Sequence, residues 1–325
     1  MIASTEMEKQ VTAPSMKYWG GFLDETLNFD IEVYPKPTEV TPDNRVYQPH
    51  IFVSSSDKSK LEFVQRHLPE QVVARINPDY TDPEQRGHDR WKLNVGNAVG
   101  CFRFLQWIMP HLEYKQAQAV VFSEFLEQKR EVIRLVDGLT RVPRLYPTPE
   151  DRMEVEEDFR EKLIVAKSQT IDITHLPDPE RLAGIFDASG SFGVYTTKRF
   201  PSGTPEYSAN CQLISVQQGL LTGLYKEYRG ARPIEYNPGL NRYSGQSFVW
   251  QVSGYEVGRL LKDIEPYLVI KQTEARFAID FLRVKQALFG VDYSNDPTIK
   301  AQRSKVLRGY TEDWKTISHN AGATT

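Results

Sequence analysis

The chain is poor in cysteine, histidine, net charge and long apolar runs, and each shortage removes a class of protein. Only Cys101 and Cys211 occur in 325 residues. They are too few and too far apart for a disulfide framework or a thiolate zinc site, so both read as small core residues in a reducing, intracellular compartment. The six histidines are scattered, and neither a His-Glu-x-x-His pair nor a Gly-x-x-x-x-Gly-Lys loop occurs, which sets aside the commonest zinc-hydrolase and nucleotide-loop readings. No stretch approaches the roughly 18 consecutive apolar residues of a membrane span. Glu6 and Glu8 stand where a secretory signal would be basic. The expectation is a soluble protein with no membrane partner.

Net charge is also small, at −3. Up to Thr170 there are 22 basic against 27 acidic residues, a net of −5, and beyond it 18 against 16, a net of +2. Proteins that grip a long duplex exchange condensed counterions for Lys and Arg, and a basic balance is their usual footprint. Any nucleic-acid affinity here must come from bases that folding gathers onto one face.

What the chain does have is an internal duplication. Residues 181 to 193 read Arg-Leu-Ala-Gly-Ile-Phe-Asp-Ala-Ser-Gly-Ser-Phe-Gly, and Trp19 to Phe29 read Trp-Gly-Gly-Phe-Leu-Asp-Glu-Thr-Leu-Asn-Phe. Gly20 and Gly21 match Ala183 and Gly184, Asp24 matches Asp187, and Phe29 matches Phe192. Each copy is followed by a tryptophan strand, at Trp91 and Trp250, and then by a Pro-x-Leu-x-x-Lys-Gln-x-x-Ala joint beginning at Pro110 and Pro266. Ser15 and Asp178 are suited to cap the two motif helices, and Pro179 to open the second. Alternation at 29–34, 46–53, 192–197 and 207–216 predicts hairpin strands with one buried face. Apolar spacing predicts helices at 58–68 and 217–229, with long closing helices at 114–136 and 271–288. The expected organisation is a mobile tail over 1–15, a repeat over 16–136, a linker with an acidic helix over 137–173, a second repeat over 174–309 and a mobile tail over 310–325.

The two motif copies resemble the signature of the LAGLIDADG homing endonucleases and maturases, in the single-chain, two-repeat form. The resemblance implies an α+β fold of two pseudo-symmetric αββαββα repeats. Their signature helices pack at the centre through Gly20, Gly21, Ala183 and Gly184, and their antiparallel sheets curve into a saddle along nucleic acid. It also implies that metal-binding carboxylates belong at the eighth signature place, which here holds Thr26 and Ser189. Neutral hydroxyls do not balance a dication beside phosphates, so no metal cofactor is expected, with Mg2+ required only if cleavage survives. Substitute acids are Asp24, Glu25 and Asp187, although at 100° per residue the two aspartates lie about 200° round the helix from the eighth place and Glu25 about 100°.

The resemblance further assigns Lys115 and Lys271 to basic catalytic places and Gln217, with Ser56 as a weaker match, to the polar place after the second strand. Lys36, Arg45, Lys198, Arg199 and Arg242 are the candidates for nucleic-acid contact. The first saddle half is acidic, with Asp30, Glu32, Glu39 and Asp43 in or beside its strands. Three functions follow in order of support. The first is a monomeric, cleavage-inactive binder of DNA or structured intron RNA, the second a Mg-dependent site-specific DNA endonuclease, and the third a module that binds a protein partner through the acidic half.

Overall fold

A computed structural model describes residues 13–37, 44–79, 90–138, 148–169, 175–199, 204–236, 246–289 and 297–323. Helix α1 (Met16–Thr26) starts where the Ser15 hydroxyl accepts the Tyr18 amide at 3.2 Å. It runs three turns before Leu27 turns extended and opens β1 (Leu27–Pro35). Strict alternation then points Leu27, Phe29 and Ile31 into the core and Asn28, Asp30 and Glu32 away from it. Strand β2 (Arg45–Ser55) pairs antiparallel with β1, Leu27 opposite Val53. There follow α2 (Lys58–His67), β3 (Ala74–Pro78), β4 (Trp91–Val95), α3 (Asn97–Ile108), a 3-10 turn at Met109–His111, α4 (Gln116–Gly138) and α5 (Pro149–Ser168).

The second half repeats this order with α6 (Pro179–Ser189), β5 (Gly190–Arg199), β6 (Thr204–Ser215), α7 (Gln218–Tyr228), β7 (Ile234–Tyr236) and β8 (Ser247–Ser253). It closes with α8 (Tyr255–Ile264), a 3-10 turn at Glu265–Tyr267, α9 (Gln272–Phe289) and α10 (Pro297–Ala323). The sheets are four-stranded and antiparallel, ordered β1-β2-β4-β3 and β5-β6-β8-β7. One face of each lies on the helices and the other is open. This is the expected α+β architecture of two αββαββα halves, each with two further helices.

Helices α4 and α9 are the expected closing helices, whereas α10 was not foreseen. Residues 310–325 were predicted to be a mobile tail, yet as far as Ala323 they form the end of α10, with Leu307, Thr311 and Trp314 buried. The acidic segment predicted to be a linker helix is likewise packed: α5 starts with a Thr148–Asp151 capping box and buries Leu163 and Ala166. The two helices hold equivalent places. Tyr47, six residues before Val53, meets Glu157 of α5, and Tyr207, six before Leu213, hydrogen-bonds Ser304 of α10 at 3.2 Å. A polar composition hid this, because only one stripe of each helix needs to be apolar for the helix to dock.

The two halves are joined where α1 crosses α6. A β-carbon added to Gly21 would lie 2.1 Å from the Arg181 carbonyl oxygen, and one on Gly184 would lie 2.1 Å from the Tyr18 carbonyl oxygen and 2.9 Å from the Phe22 nitrogen. The backbones touch, so no side chain fits at either place. Gly20 has a different duty from its match Ala183: its missing side chain leaves room for the His111 carbonyl and the Arg181 guanidinium. Flanking this contact, Tyr18 and Arg181 occupy the same place in the two copies, and each reaches the opposite signature aspartate. The Tyr18 hydroxyl donates to Asp187 at 2.7 Å, and the Arg181 guanidinium pairs with Asp24.

Gly21→Ala or Gly184→Ala is expected to lower stability by roughly 2–4 kcal/mol in urea unfolding. Gly309→Ala in α10, where nothing lies within 4 Å, should instead add about 1 kcal/mol through helix propensity. A loss at Gly309 equal to that at Gly184 would contradict the close-packing account.

Candidate nucleic-acid interface and its centre

The open faces of the two sheets and the carboxyl ends of α1 and α6 form the candidate site. On the first sheet, register sets Asn28, Asp30 and Glu32 of β1 beside Gln48, His50 and Phe52 of β2, then Lys92 and Asn94 of β4 and Arg75 and Asn77 of β3. The acids here have partners. Lys167 of α5 stands 3.5 Å from Asp30, His50 stands 3.5 Å from Glu32, and the Tyr34 hydroxyl donates to Glu32. Lys92 pairs with Asp79 at 3.0 Å and lies over the Phe52 ring. On the second sheet the open face is mostly neutral and polar: Ser191, Tyr195, Ser208, Asn210, Gln212, Gln251 and Ser253. Several of these line a concavity of about 490 Å3 that also holds Glu206 and Glu256, and the Asn210 side-chain oxygen is buried without a partner.

The five cations proposed from the sequence fare unevenly. Lys36 is exposed just past β1 on the open side. Arg45 is not on that face: by strand parity it shares the helix side with Tyr47, and it sits with Tyr47 and Glu157 against α5. Lys198 and Arg199 lie in β5, with side chains outside what is described, and Arg242, Glu39 and Asp43 lie outside the described residues. Sequence reasoning missed Arg75 and Lys92, whose outward direction follows from the alternation of two short strands.

At the centre, the signature helices end side by side. The Thr26 hydroxyl turns back to donate to the Phe22 carbonyl at 2.9 Å, and the Ser189 hydroxyl reaches across to Glu25 at 3.3 Å. Glu25 is therefore the acid at the centre. Its other oxygen accepts the Ser215 hydroxyl at 3.0 Å. The crowd of protein around this carboxyl, at a spot that leaves part of its surface accessible, pushes its pKa up to about 7, with Lys115 opposing.

Asp24 and Asp187 are excluded as substitutes by what they already hold. Asp24 accepts the Glu113 and Lys115 amides at 3.0 and 3.1 Å together with Arg181, and Asp187 accepts the Val269, Ile270 and Lys271 amides at 2.8, 3.0 and 2.8 Å together with Tyr18. They satisfy amides where α4 and α9 begin, on the far side of their helices from the centre. Among the described residues no group of three or more His, Cys, Asp or Glu is placed to hold a metal ion.

The lysines do reach the centre. The Lys115 amine donates to the Leu27 carbonyl, and the Lys271 amine to the carbonyls of Phe186, at 2.8 Å, and Gly190. Burial pulls Lys115 down to about 8 and Lys271 to about 7. A third lysine, unforeseen, joins them: Lys60 of α2 crosses from the first half to the Ala188 carbonyl of the second at 3.1 Å. The polar place after the second strand is filled by Gln217, whose amide donates to Ser215 at 3.0 Å, and in the first half by Asp57 rather than Ser56, since Asp57 makes the same 3.0 Å bond to Ser55. The Gln217 side-chain oxygen is buried and unpartnered.

No protein-family model and no curated protein matches the chain. Solved structures do. The chain is similar to the LAGLIDADG homing endonuclease I-GzeII in complex with its DNA target, at 14% identity and a TM-score of 0.64, over 92% of this chain and 98% of that one. It is similar also to the meganuclease I-AabMI bound to uncleaved DNA, at 16% and 0.60 over 92% and 98%, and to I-SmaMI bound to cleaved DNA, at 12% and 0.61 over 92% and 96%. The chain thus has the fold of the single-chain, two-repeat LAGLIDADG meganucleases.

Glu25 yields a pH prediction. Its folded pKa lies above the ordinary 4.5, so its contribution to stability is greatest below 4.5 and is lost as pH rises towards and through 7. Glu25→Gln keeps an acceptor for Ser189 and Ser215 and cannot ionise. Relative to the native chain it should gain about 1–2 kcal/mol between pH 4.5 and 8, a figure reduced for solvent access. Urea unfolding of both proteins at the two pH values tests this, and an equal difference at both would mean that Glu25 titrates as in water.

Proposed function

We propose that the chain binds duplex DNA along the open faces of its two sheets and leaves it uncut. The observation that carries this reading is the pair of hydroxyls, Thr26 and Ser189, at the ends of the signature helices, one turned back on its own helix and the other donating to Glu25. Magnesium in a phosphodiester-cleaving site takes carboxylate and water oxygens in octahedral geometry. The centre offers two neutral hydroxyls and one carboxyl that carries a proton for much of the time near pH 7 and already accepts two serine donors. These residues do not fit the ion.

Several features support binding. Lys36 and Arg75 are placed for phosphates, and Gln212 and Gln251 present amides of the kind that read base edges. The structurally similar I-GzeII is a DNA complex. Of the acids that suggested a protein partner, Asp30 faces Lys167 and Glu32 accepts the Tyr34 hydroxyl beside His50, which lowers the negative charge that this strand offers a protein. One chain supplies both halves of the saddle, which supports a monomeric binder.

Incubation with a randomised duplex library and with total cellular RNA, each with magnesium and with chelator, tests the proposal. Retained, intact duplex in both conditions is expected. A product cut only with magnesium, and lost in Glu25→Gln, would overturn it; retention of RNA alone would redirect it to structured RNA.

A further inference from the structure

One row of the second sheet's open face is apolar. Register places Ile214 of β6 opposite Val249 of β8, and Val249 opposite Ile234 of β7. Their strand neighbours Leu213, Phe248 and Trp250 pack into the core, so alternation turns the three branched side chains to the open side. Ile234 is 63% exposed, and Ile214 and Val249 are half-buried. The exposed Val216, two residues after Ile214, and Tyr236, two after Ile234, extend the patch. The equivalent row of the first half is polar. Leu27 opposite Val53 corresponds to Gly190 opposite Leu213, which aligns Ile214 with Ser54. Ser54 stands opposite Lys92, and Lys92 opposite Asn77. Ser54, Lys92 and Asn77 thus hold the places of Ile214, Val249 and Ile234, and Ser56 that of Val216. The two halves offer opposite chemistry at matched positions of one face.

We propose that Ile214, Val249 and Ile234 read thymine 5-methyl groups in one half of the bound duplex, so that the preferred site is asymmetric, with methyl recognition on the second-sheet side alone. Of the four bases only thymine shows a methyl in the major groove, and apolar side chains are the groups that read it. Neighbouring strands lie about 4.8 Å apart, which makes the row about 10 Å wide, and the major groove is about 12 Å wide. The row is continuous with the rest of the face. Gln212 and Gln251 face each other one row further out, and Ser215, next to Ile214, donates to Glu25 at the centre. The methyls read by this row therefore belong to the inner part of that half-site. Covering one methyl is worth about fourfold in affinity. Ser54, Lys92 and Asn77 offer no such cover in the first half.

This inference rests on the proposed duplex binding, and its test separates the two. A duplex recovered by selection in chelator is remade with deoxyuridine for thymidine at one position at a time, a change that keeps the base pair and removes only the methyl. Affinity of the native protein is expected to fall about fourfold at one or more positions in one half of the site and to stay unchanged in the other. Ile234→Asn and Ile214→Ser carry the residues that the first half has at the equivalent places, which argues that both fold, and thermal unfolding checks it. Each should bind the thymidine duplex more weakly and lose discrimination at one or more of those positions. Val306→Asn, exposed on α10, should bind and discriminate as the native chain does. If Ile214→Ser misfolds, Ile234→Asn on the edge strand decides alone. Equal affinity for thymidine and deoxyuridine at every position, or native discrimination in the variants, would overturn methyl reading and leave duplex binding standing. So would a native protein that dimerises with rising concentration while Ile234→Asn stays monomeric, which would assign the patch to a second copy of the chain. Native protein that retains no duplex in any condition would overturn both.

Discussion

The architecture depends on the contact of two helix backbones. Where α1 crosses α6, a single added carbon at Gly21 or Gly184 would land about as close to a carbonyl oxygen as a covalent neighbour's neighbour. That closeness places the two helix ends next to each other, and with them every group of the central site. It is secured by a reciprocal pair of polar contacts that differ in kind, a neutral hydroxyl to Asp187 from one half and a guanidinium to Asp24 from the other. Because one contact is a buried ion pair and the other is not, the halves are complementary rather than interchangeable. Two copies of either half facing each other would not reproduce both contacts.

The signature aspartates link this interface to the rest of each half. Each accepts the amides that begin the closing helix, so the helix crossing, the 3-10 turn and the lysine that follows it are tied to one carboxylate. Lys115 and Lys271 reach the centre because their own backbones are held there. This also explains why the aspartates are unavailable for other chemistry, and why the acid that does occupy the centre is Glu25, one residue away from the expected place and bridging both halves through Ser189 and Ser215.

The helical layer is more extensive than its composition suggests. Helices α5 and α10 repeat one another in place, each meeting the core-side tyrosine near the start of its half's second strand. Through Lys167, α5 also neutralises part of an acidic strand. Net charge counted along the chain therefore says little about the open faces, where the acids and bases of different segments are brought together.

Much was legible in the residues alone. Periodicity located the hairpin strands and the long helices to within a few residues, and the duplicated landmarks at Trp91 and Trp250, Lys115 and Lys271 established the two halves. Where the reading failed, the reason was physical. Arg45 was assigned to the open face by nearness in sequence, whereas strand parity puts it on the other. The segment after residue 310 looked like a tail because a docked helix needs only a few apolar residues such as Leu307 and Trp314. Local sequence thus determined which segments are helix or strand, the twofold organisation, and the absence of acids at Thr26 and Ser189, all properties of periodicity and residue type. Only the tertiary structure decided that Glu25 lies across from Ser189, that Lys60 enters the other half, and that Asp24 and Asp187 are consumed elsewhere, because those contacts join residues from 82 to 190 positions apart, a distance over which no local pattern carries information.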